Sequence, residues 1–370
     1  MEAAMTKRVF NFNPGPATLP LSVLEEIRDE LLDCRGAGMG VMEMSHRSAE
    51  YSAIHAETKA SLRRLLEIGD EYEILFLGGG ASTQFYTVPW NFLNIAKQAD
   101  YVLTGVWAAN AAVEAARFGK IHYAYDAKTP QGYLRVPTQD ELSLSPDAVY
   151  LHVTTNNTIA GTQLHHTLRP ENPDAFVVGD MSSDMLWRKF DVRDYGLIYA
   201  GVQKNLGPAG ATLVILRRDL LERCQPDLPV MARYRTHVES DSLFNTAPVF
   251  PIYVVGKVLA WLESIGGLGE MERRNRAKAD LLYQTLDANP DFFRTPVERT
   301  SRSVMNVVWR LPTTELESRF VKLADQNGLV GLKGHRSVGG LRASLYNAMT
   351  LEGVEALVSL LESFAANQRS

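Results

Sequence analysis

Cysteine is scarce in this sequence: only Cys34 and Cys224 occur in 370 residues. Two thiols cannot build a disulfide framework. Neither sits in a C-x-x-C or other metal-ligand spacing, so no metal is expected. Long apolar runs are missing as well. No stretch approaches the roughly 18 residues that a membrane span requires, and Met1 to Phe10 carries Lys7 and Arg8 with no apolar segment after them. Nor is there an excess of basic charge. A net charge of −5 with both signs interspersed gives no bulk attraction to nucleic acid or to an anionic membrane. Internal repeats and low-complexity tracts are absent too. What remains is a reduced, cytoplasmic, enzyme-sized chain, long enough for two packed domains. Any anionic substrate must meet a local basic cluster.

Apolar periodicity supplies the architecture. Leu24, Ile27, Leu31 and Leu32 predict a helix over 20–34, and Ser48 to Leu66 predicts a second. Strands are expected at 73–77, 101–104 and 121–125, alternating with helices at 82–96 and 108–118. Four more apolar runs of strand length lie at 148–153, 175–179, 197–200 and 211–216. Short apolar strands separated by helices pair in parallel through right-handed crossovers. The runs at 197 and 211 are joined by a short Gly/Pro loop, so that pair is expected to be antiparallel. The pattern changes near Pro251. A helical stretch to Asp287 is interrupted at Gly266, Gly267 and Gly269, and a strand at 304–311, a helix at 314–327, a strand at 341–346 and a helix from Leu351 follow. The fold class is α/β. A large domain over 20–255 has a mainly parallel central sheet flanked by helices, and residues 256–370 with 1–19 form a smaller α+β domain.

In such sheets, ligands gather at the carboxyl ends of the strands. The run at 73–77 ends in Gly78-Gly79-Gly80-Ala81-Ser82 before a helix, where backbone N–H groups and the helix dipole favour an anion. The loop lacks the G-K-[ST] ending of an ATP-binding loop and is not G-x-G-x-x-G. The run at 175–179 ends in Asp180, which alone reads as a turn cap. The run at 197–200 enters Gln203-Lys204-Asn205, and a lone lysine there is normally solvated. Together, a phosphate cradle, a carboxylate and an amine at successive strand ends are the three groups that a pyridoxal-phosphate (PLP) site needs.

These segments resemble the class V, fold-type I PLP aminotransferases over nearly the whole chain. The resemblance runs through NFNPGPA (11–17), VMEMSHR (41–47), GGGASTQF (78–85), WAANA (107–111), AGVQKNLGPAG (200–210), FNTAP (244–248) and LKGHRSVGGLRASLYNAM (332–349). It implies that Lys204 forms the imine with the cofactor, that Asp180 pairs with the ring nitrogen, and that Trp107 stacks on the ring. It also implies that Thr158 bonds the phenolic oxygen and that Ala81, Ser82 and Gln203 hold the phosphate. Asn245 and Thr246 would reach in from the other subunit of a homodimer with shared sites. At two positions the chain departs from many relatives: Ala81-Ser82 replaces a Gly-Arg or Ser-Gly pair, and Pro14 replaces a serine.

The dipeptides His46-Arg47 and His335-Arg336, with Arg342 nearby, address the substrate. Arginine matches carboxylate and phosphate with two parallel hydrogen bonds, and histidine adds a donor. By resemblance Arg342 takes the α-carboxylate, and His46, Arg47, His335 and Arg336 surround a distal anion. The implied reaction is ping-pong amino transfer between L-glutamate and 3-phosphohydroxypyruvate, in serine biosynthesis. Alanine–glyoxylate or serine–pyruvate transfer is the nearest alternative, but those substrates have no distal anion. A nucleotide-binding oxidoreductase or a PLP-binding scaffold is the alternative from other classes. A cysteine desulfurase needs a reactive cysteine in a mobile loop, where neither Cys34 nor Cys224 lies.

Overall fold

Apolar alternation is resolved into elements by a computed structural model that describes residues 8–368. The chain opens with β1 (Phe10–Asn11), α1 (Leu21–Asp29) and α2 (Ala49–Leu66), then alternates through β2 (Tyr72–Gly78), α3 (Ala81–Phe92), β3 (Gln98–Leu103), α4 (Val106–Ala115) and β4 (Lys120–Asp126). A hairpin of β5 (Lys128–Thr129) and β6 (Gly132–Tyr133) precedes β7 (Ala148–Thr154), β8 (Phe176–Asp180), β9 (Leu197–Gly201) and β10 (Ala211–Arg217). Helices α5 (Tyr234–Glu239), α6 (Val249–Ser264) and α7 (Gly267–Asp287) follow. The chain closes with β11 (Asn306–Trp309), α8 (Thr314–Gln326), β12 (Leu329–Val330), β13 (Leu341–Ser344) and α9 (Leu351–Ala366).

Seven strands form one sheet in the order β2-β10-β9-β8-β7-β3-β4. Only β10 runs antiparallel to its neighbours, β2 and β9, as its short link to β9 predicts. The inner strands are apolar at nearly every position because both sheet faces are covered. Alternate residues go to opposite cores. Leu151, Val153, Val177, Ile198 and Ala200 pack with α2 and α6, while Tyr150, Phe176, Val178, Leu197 and Tyr199 pack with α3 and α4. The order reverses between β3, which leads to β4 on one side, and β7, which leads to β8 on the other. A crevice outside the carboxyl ends at this switch point is where such sheets bind ligands.

Several boundaries differ from the sequence expectation. Helix α1 stops at Asp29, five residues early. Leu32 of its apolar stripe is exposed, and the chain turns where Asp33 accepts from the Gly38 N–H at 2.7 Å. Helix α3 ends at Phe92 rather than 96, because Asn94 turns the chain by accepting from the Ala96 N–H at 3.0 Å. The strand β1 and its parallel partner β12 carry no signal at two residues each. A division at 255/256 would cut α6, whose Ile252, Val255, Leu259 and Leu262 belong to one continuous core. We place the division in α7 instead: Leu268 and Met271 join that core, while Ala279, Leu282 and Leu286 join a separate one with α8, α9 and Phe12. Among the described residues no single helix is long and apolar enough to cross a membrane.

Candidate active site

A cavity of about 280 Å³ opens at the switch point. Its walls come from segments far apart in the chain. Ala81 and Ser82 are the first two residues of α3, and Trp107 is the second residue of α4. Thr158 lies in the loop after β7, Asp180 ends β8, and Gln203 and Lys204 follow β9. His335 and Arg342 arrive from the C-terminal unit. Two helix N-termini thus face one cavity, each with unsatisfied N–H groups and a positive dipole end. Their caps, Gly80 and Gly105, have no side chain to compete for those groups.

Lys204 is held from several sides. Its neighbour Asn205 is buried, donates to the Met185 carbonyl at 3.0 Å and accepts from the Asn347 N–H at 3.0 Å. Gly15 has φ +131°, and a Cβ there would meet Lys204 Cγ at 3.2 Å, so glycine lets the bend after β1 pass against the lysine stem. The Lys204 amine donates to Thr158 Oγ1 at 3.0 Å. Burial pushes its pKa below the ordinary lysine value, against the opposing pull of Asp180 and Asp184. A lysine nearer neutrality is a better nucleophile and proton carrier.

Asp180 is 5% exposed. Burial raises its pKa, while Lys204, Ser182 and the Tyr199 hydroxyl pull it back down. Both the N–H and the hydroxyl of Ser182 donate to Asp180 Oδ1, at 3.0 and 2.6 Å. The aspartate does form a turn, as a cap would, but its carboxylate also faces the cavity.

Arg342 is 5% exposed, and burial lowers its pKa. One N–H donates to the Thr158 carbonyl at 3.0 Å, while Nε has no partner. Among the described residues no carboxylate pairs with this guanidinium. His335 stands beside it, its ring Nδ1 2.7 Å from Ser337 Oγ, and its pKa is lowered by burial and by Arg342 and Arg336. A second cavity of about 500 Å³, lined in part by Lys128, Tyr133 and Arg310, shares His335 and Arg342 with the first.

Five expected residues are not brought into this cavity by the single chain. His46 is half-buried with an unpartnered Nε2, and Arg47 and Arg336 are exposed. Asn245 lines another cavity with Thr83, Gln84 and Thr87 of α3, and Thr246 is exposed next to it. Sequence reasoning missed others. Phe85 and Ile159 line the cavity, and Tyr199 reaches Asp180 from β9. The signal for Tyr199 was a polar group inside a wholly apolar strand, on the same face as Asp180.

The profile of the family described as Aminotransferase class-V matches residues 9–357. The chain belongs to the class-V aminotransferase family. It is similar to the phosphoserine aminotransferase of Herpetosiphon aurantiacus, 49% identical over 97% of this chain and 99% of that protein. It superposes on the phosphoserine aminotransferase from Bacillus circulans subsp. alkalophilus with TM-score 0.94 and 48% identity, covering 98% and 99% of the two chains. It also superposes on a PLP-bound phosphoserine aminotransferase from Trichomonas vaginalis with TM-score 0.90 and 37% identity, covering 96% and 100%. The fold is that of the fold-type I PLP-dependent aminotransferases, and the cofactor is pyridoxal 5′-phosphate. The donor set fits it: a buried carboxylate, a lysine amine, a hydroxyl and helix N-termini surround one cavity. Trp107 Nε1 and Arg342 Nε are buried polar atoms without a partner, as groups that meet a ligand are.

Proposed function

We infer that this transaminase moves an amino group between L-glutamate and 3-phosphohydroxypyruvate, giving O-phospho-L-serine and 2-oxoglutarate. The observation that carries the reading is Arg342: a buried guanidinium beside the Lys204 amine, with no carboxylate partner among the described residues. A buried charge needs a counter-charge, and an amino acid's α-carboxylate supplies it with two parallel hydrogen bonds. The half-identical relatives favour this pair of substrates over alanine–glyoxylate or serine–pyruvate transfer.

Bound PLP supplies an electron sink conjugated to the substrate's Cα. The chain's own residues do the rest. Asp180 would keep a proton on the ring nitrogen, and the Thr158 hydroxyl would be the donor for the phenolic oxygen. Trp107 would pack against the ring, and the α3 N-terminus at Ala81-Ser82, with Gln203, would hold the phosphate. The Lys204 amine would hold the cofactor and would carry a proton to and from the substrate's Cα. Arg342 orients the α-carboxylate of each substrate, and His335 with Arg336 meets the distal anion. His46 and Arg47, with Asn245 and Thr246, act from the second subunit of a homodimer with shared sites. Their exposure or orphaned ring nitrogen, away from their own chain's cavity, supports this arrangement. The enzyme works in the cytoplasm, in serine biosynthesis.

Rates with glutamate and phosphohydroxypyruvate, compared with alanine and glyoxylate, test the assignment. The phosphorylated acceptor should be preferred, and an equal or greater rate with glyoxylate would overturn it. Sedimentation should give twice the chain mass, and a fully active monomer would contradict the shared site.

A further inference from the structure

The turn that carries His335 and Arg336 rests on an arginine that the amino-transfer reading does not use. The turn closes on itself: the His335 carbonyl accepts from the Val338 and Gly339 N–H groups at 3.0 and 2.8 Å, and the Gly334 N–H donates to the Gly340 carbonyl at 2.9 Å. Its tip is exposed, Val338 by 46%. Among the described residues, one hydrogen bond reaches residues 335–339 from another element. Arg310 Nη1, just past β11, donates to the Val338 carbonyl at 3.1 Å.

Arg310 is itself fixed from two sides. Its backbone N–H donates to the Arg294 carbonyl at 2.8 Å, and its carbonyl accepts from the Arg294 N–H at 2.9 Å. Its Nε donates to Glu317 Oε1 of α8 at 2.7 Å. That carboxylate is buried and also accepts from the Leu311 N–H at 3.3 Å. The side chain so aimed lies against the turn. A Cβ at Gly340 would meet Arg310 Cδ at 2.5 Å, and one at Gly339 would meet its Nη2 at 3.7 Å. Both glycines have positive φ, +73° and +67°, so the backbone comes down onto the arginine in a conformation that other residues resist. The planar guanidinium serves the Glu317 and Val338 oxygens at once, which suits arginine better than lysine.

We propose that Arg310, aimed by Glu317, is a positioning residue for substrate choice: it holds the 335–340 turn in the shape that presents His335 and Arg336 to the substrate's distal anion. The proposal rests on the reading that these two side chains meet that anion. Arg342 is held separately, by the Thr158 carbonyl and by the pairing of β13 with β11. Loosening the turn therefore leaves the α-carboxylate end of the substrate in place. A loose turn must be ordered whenever a distal anion binds, and only substrates that carry such an anion bear that cost.

Order in the turn is read on the holoenzyme by trypsin, which cuts after Lys333 and Arg336 once the segment opens. Arg310→Met keeps most of the stem but loses the charged donor, and should be cut there about tenfold faster than the wild type. It should raise KM for glutamate and phosphohydroxypyruvate by about three- to tenfold with kcat little changed, and leave alanine and pyruvate within about twofold. Arg310→Lys should fall between. Glu317→Leu keeps the arginine's charge but removes its anchor, and should move both readouts the same way. Glu317→Gln, whose amide oxygen still accepts, should stay near the wild type.

Unchanged cutting of Arg310→Met overturns the proposal, as does a wild-type KM for phosphohydroxypyruvate in a variant whose turn is cut faster. An equal loss toward all four substrates overturns it too, because the turn then serves stability alone. So does a Glu317→Leu enzyme that behaves as the wild type while Arg310→Met does not, since Arg310 would then act by its own charge. Arg336→Leu tests the underlying reading separately. Silence there toward phosphohydroxypyruvate removes the reading and the proposal together, whereas a response at Arg336 with silence at Arg310 removes the proposal alone.

Discussion

The Asn347 N–H donates to Asn205 Oδ1 at 3.0 Å and joins the loop carrying Lys204 to the C-terminal unit. Asn347 itself is tied to the Leu186 carbonyl and to Asn275, so the contact reaches into both cores. Lys204 thus occupies a joint rather than a free loop, and its neighbour Asn205 is held from both sides.

Asn205→Ala removes the acceptor and leaves the Asn347 N–H unpaired. The loss should be about 1–3 kcal/mol of stability, the cost of an unsatisfied buried group. Cofactor affinity should fall with it, because the lysine loop loses its anchor. Denaturant melts and a cofactor titration read both, and wild-type values in both would show that the joint contributes nothing.

Replacing Lys204 by alanine should abolish turnover while leaving the fold intact. The stem packs beside Gly15, but among the described residues the amine makes only one hydrogen bond, to Thr158. A general acid–base group contributes about 10²–10⁴-fold by itself, and loss of the covalent link to the cofactor adds to that. Borohydride reduction followed by peptide mapping should place the cofactor on Lys204 in the wild type. A label on another lysine would end the assignment.

Two arginines should separate the two ends of the substrate. Arg342→Leu should impair every amino acid and keto acid, by about 2–5 kcal/mol in kcat/KM, since all carry the α-carboxylate. Arg336→Leu should weaken glutamate and phosphohydroxypyruvate but spare alanine and pyruvate, which have no distal anion. If Arg336→Leu leaves phosphohydroxypyruvate untouched, the phosphate pocket lies elsewhere.

Lys278 makes stability depend on pH. It is 2% exposed, donates to the Leu345 and Tyr346 carbonyls at 2.7 Å each, and burial lowers its pKa to about 7. Between that value and the ordinary 10.5, the unfolded chain binds a proton that the folded chain does not. Unfolding is therefore favoured as pH falls through this window, and stability rises with pH by about 1.4 kcal/mol per unit. Below pH 7 the slope vanishes, because both states are protonated. Lys278→Met should flatten the slope between pH 7.5 and 9.5, read as the difference between the two proteins' denaturant midpoints. Parallel profiles would mean that the lysine is charged in the folded protein.

Much of this was legible in the chain itself. Apolar runs bounded by glycine located the inner strands of the sheet, and the short Gly/Pro link forced β9 and β10 to be antiparallel. Asp180 and Lys204 were readable because strand ends in such sheets deliver side chains to one crevice. The loop motifs around them then matched a known family.

Tertiary structure alone decided the rest. No local pattern predicts that β1 pairs with β12 more than 300 residues away, or that α6 belongs to the large core across the expected boundary. Nor does spacing bring Arg342 to the Thr158 carbonyl, or His152 to the Tyr199 hydroxyl. Local sequence sets which face of a strand is apolar, because side chains alternate with a period of two. Which buried polar groups meet depends on strand order and register, and these are settled only when the whole sheet closes over its cores.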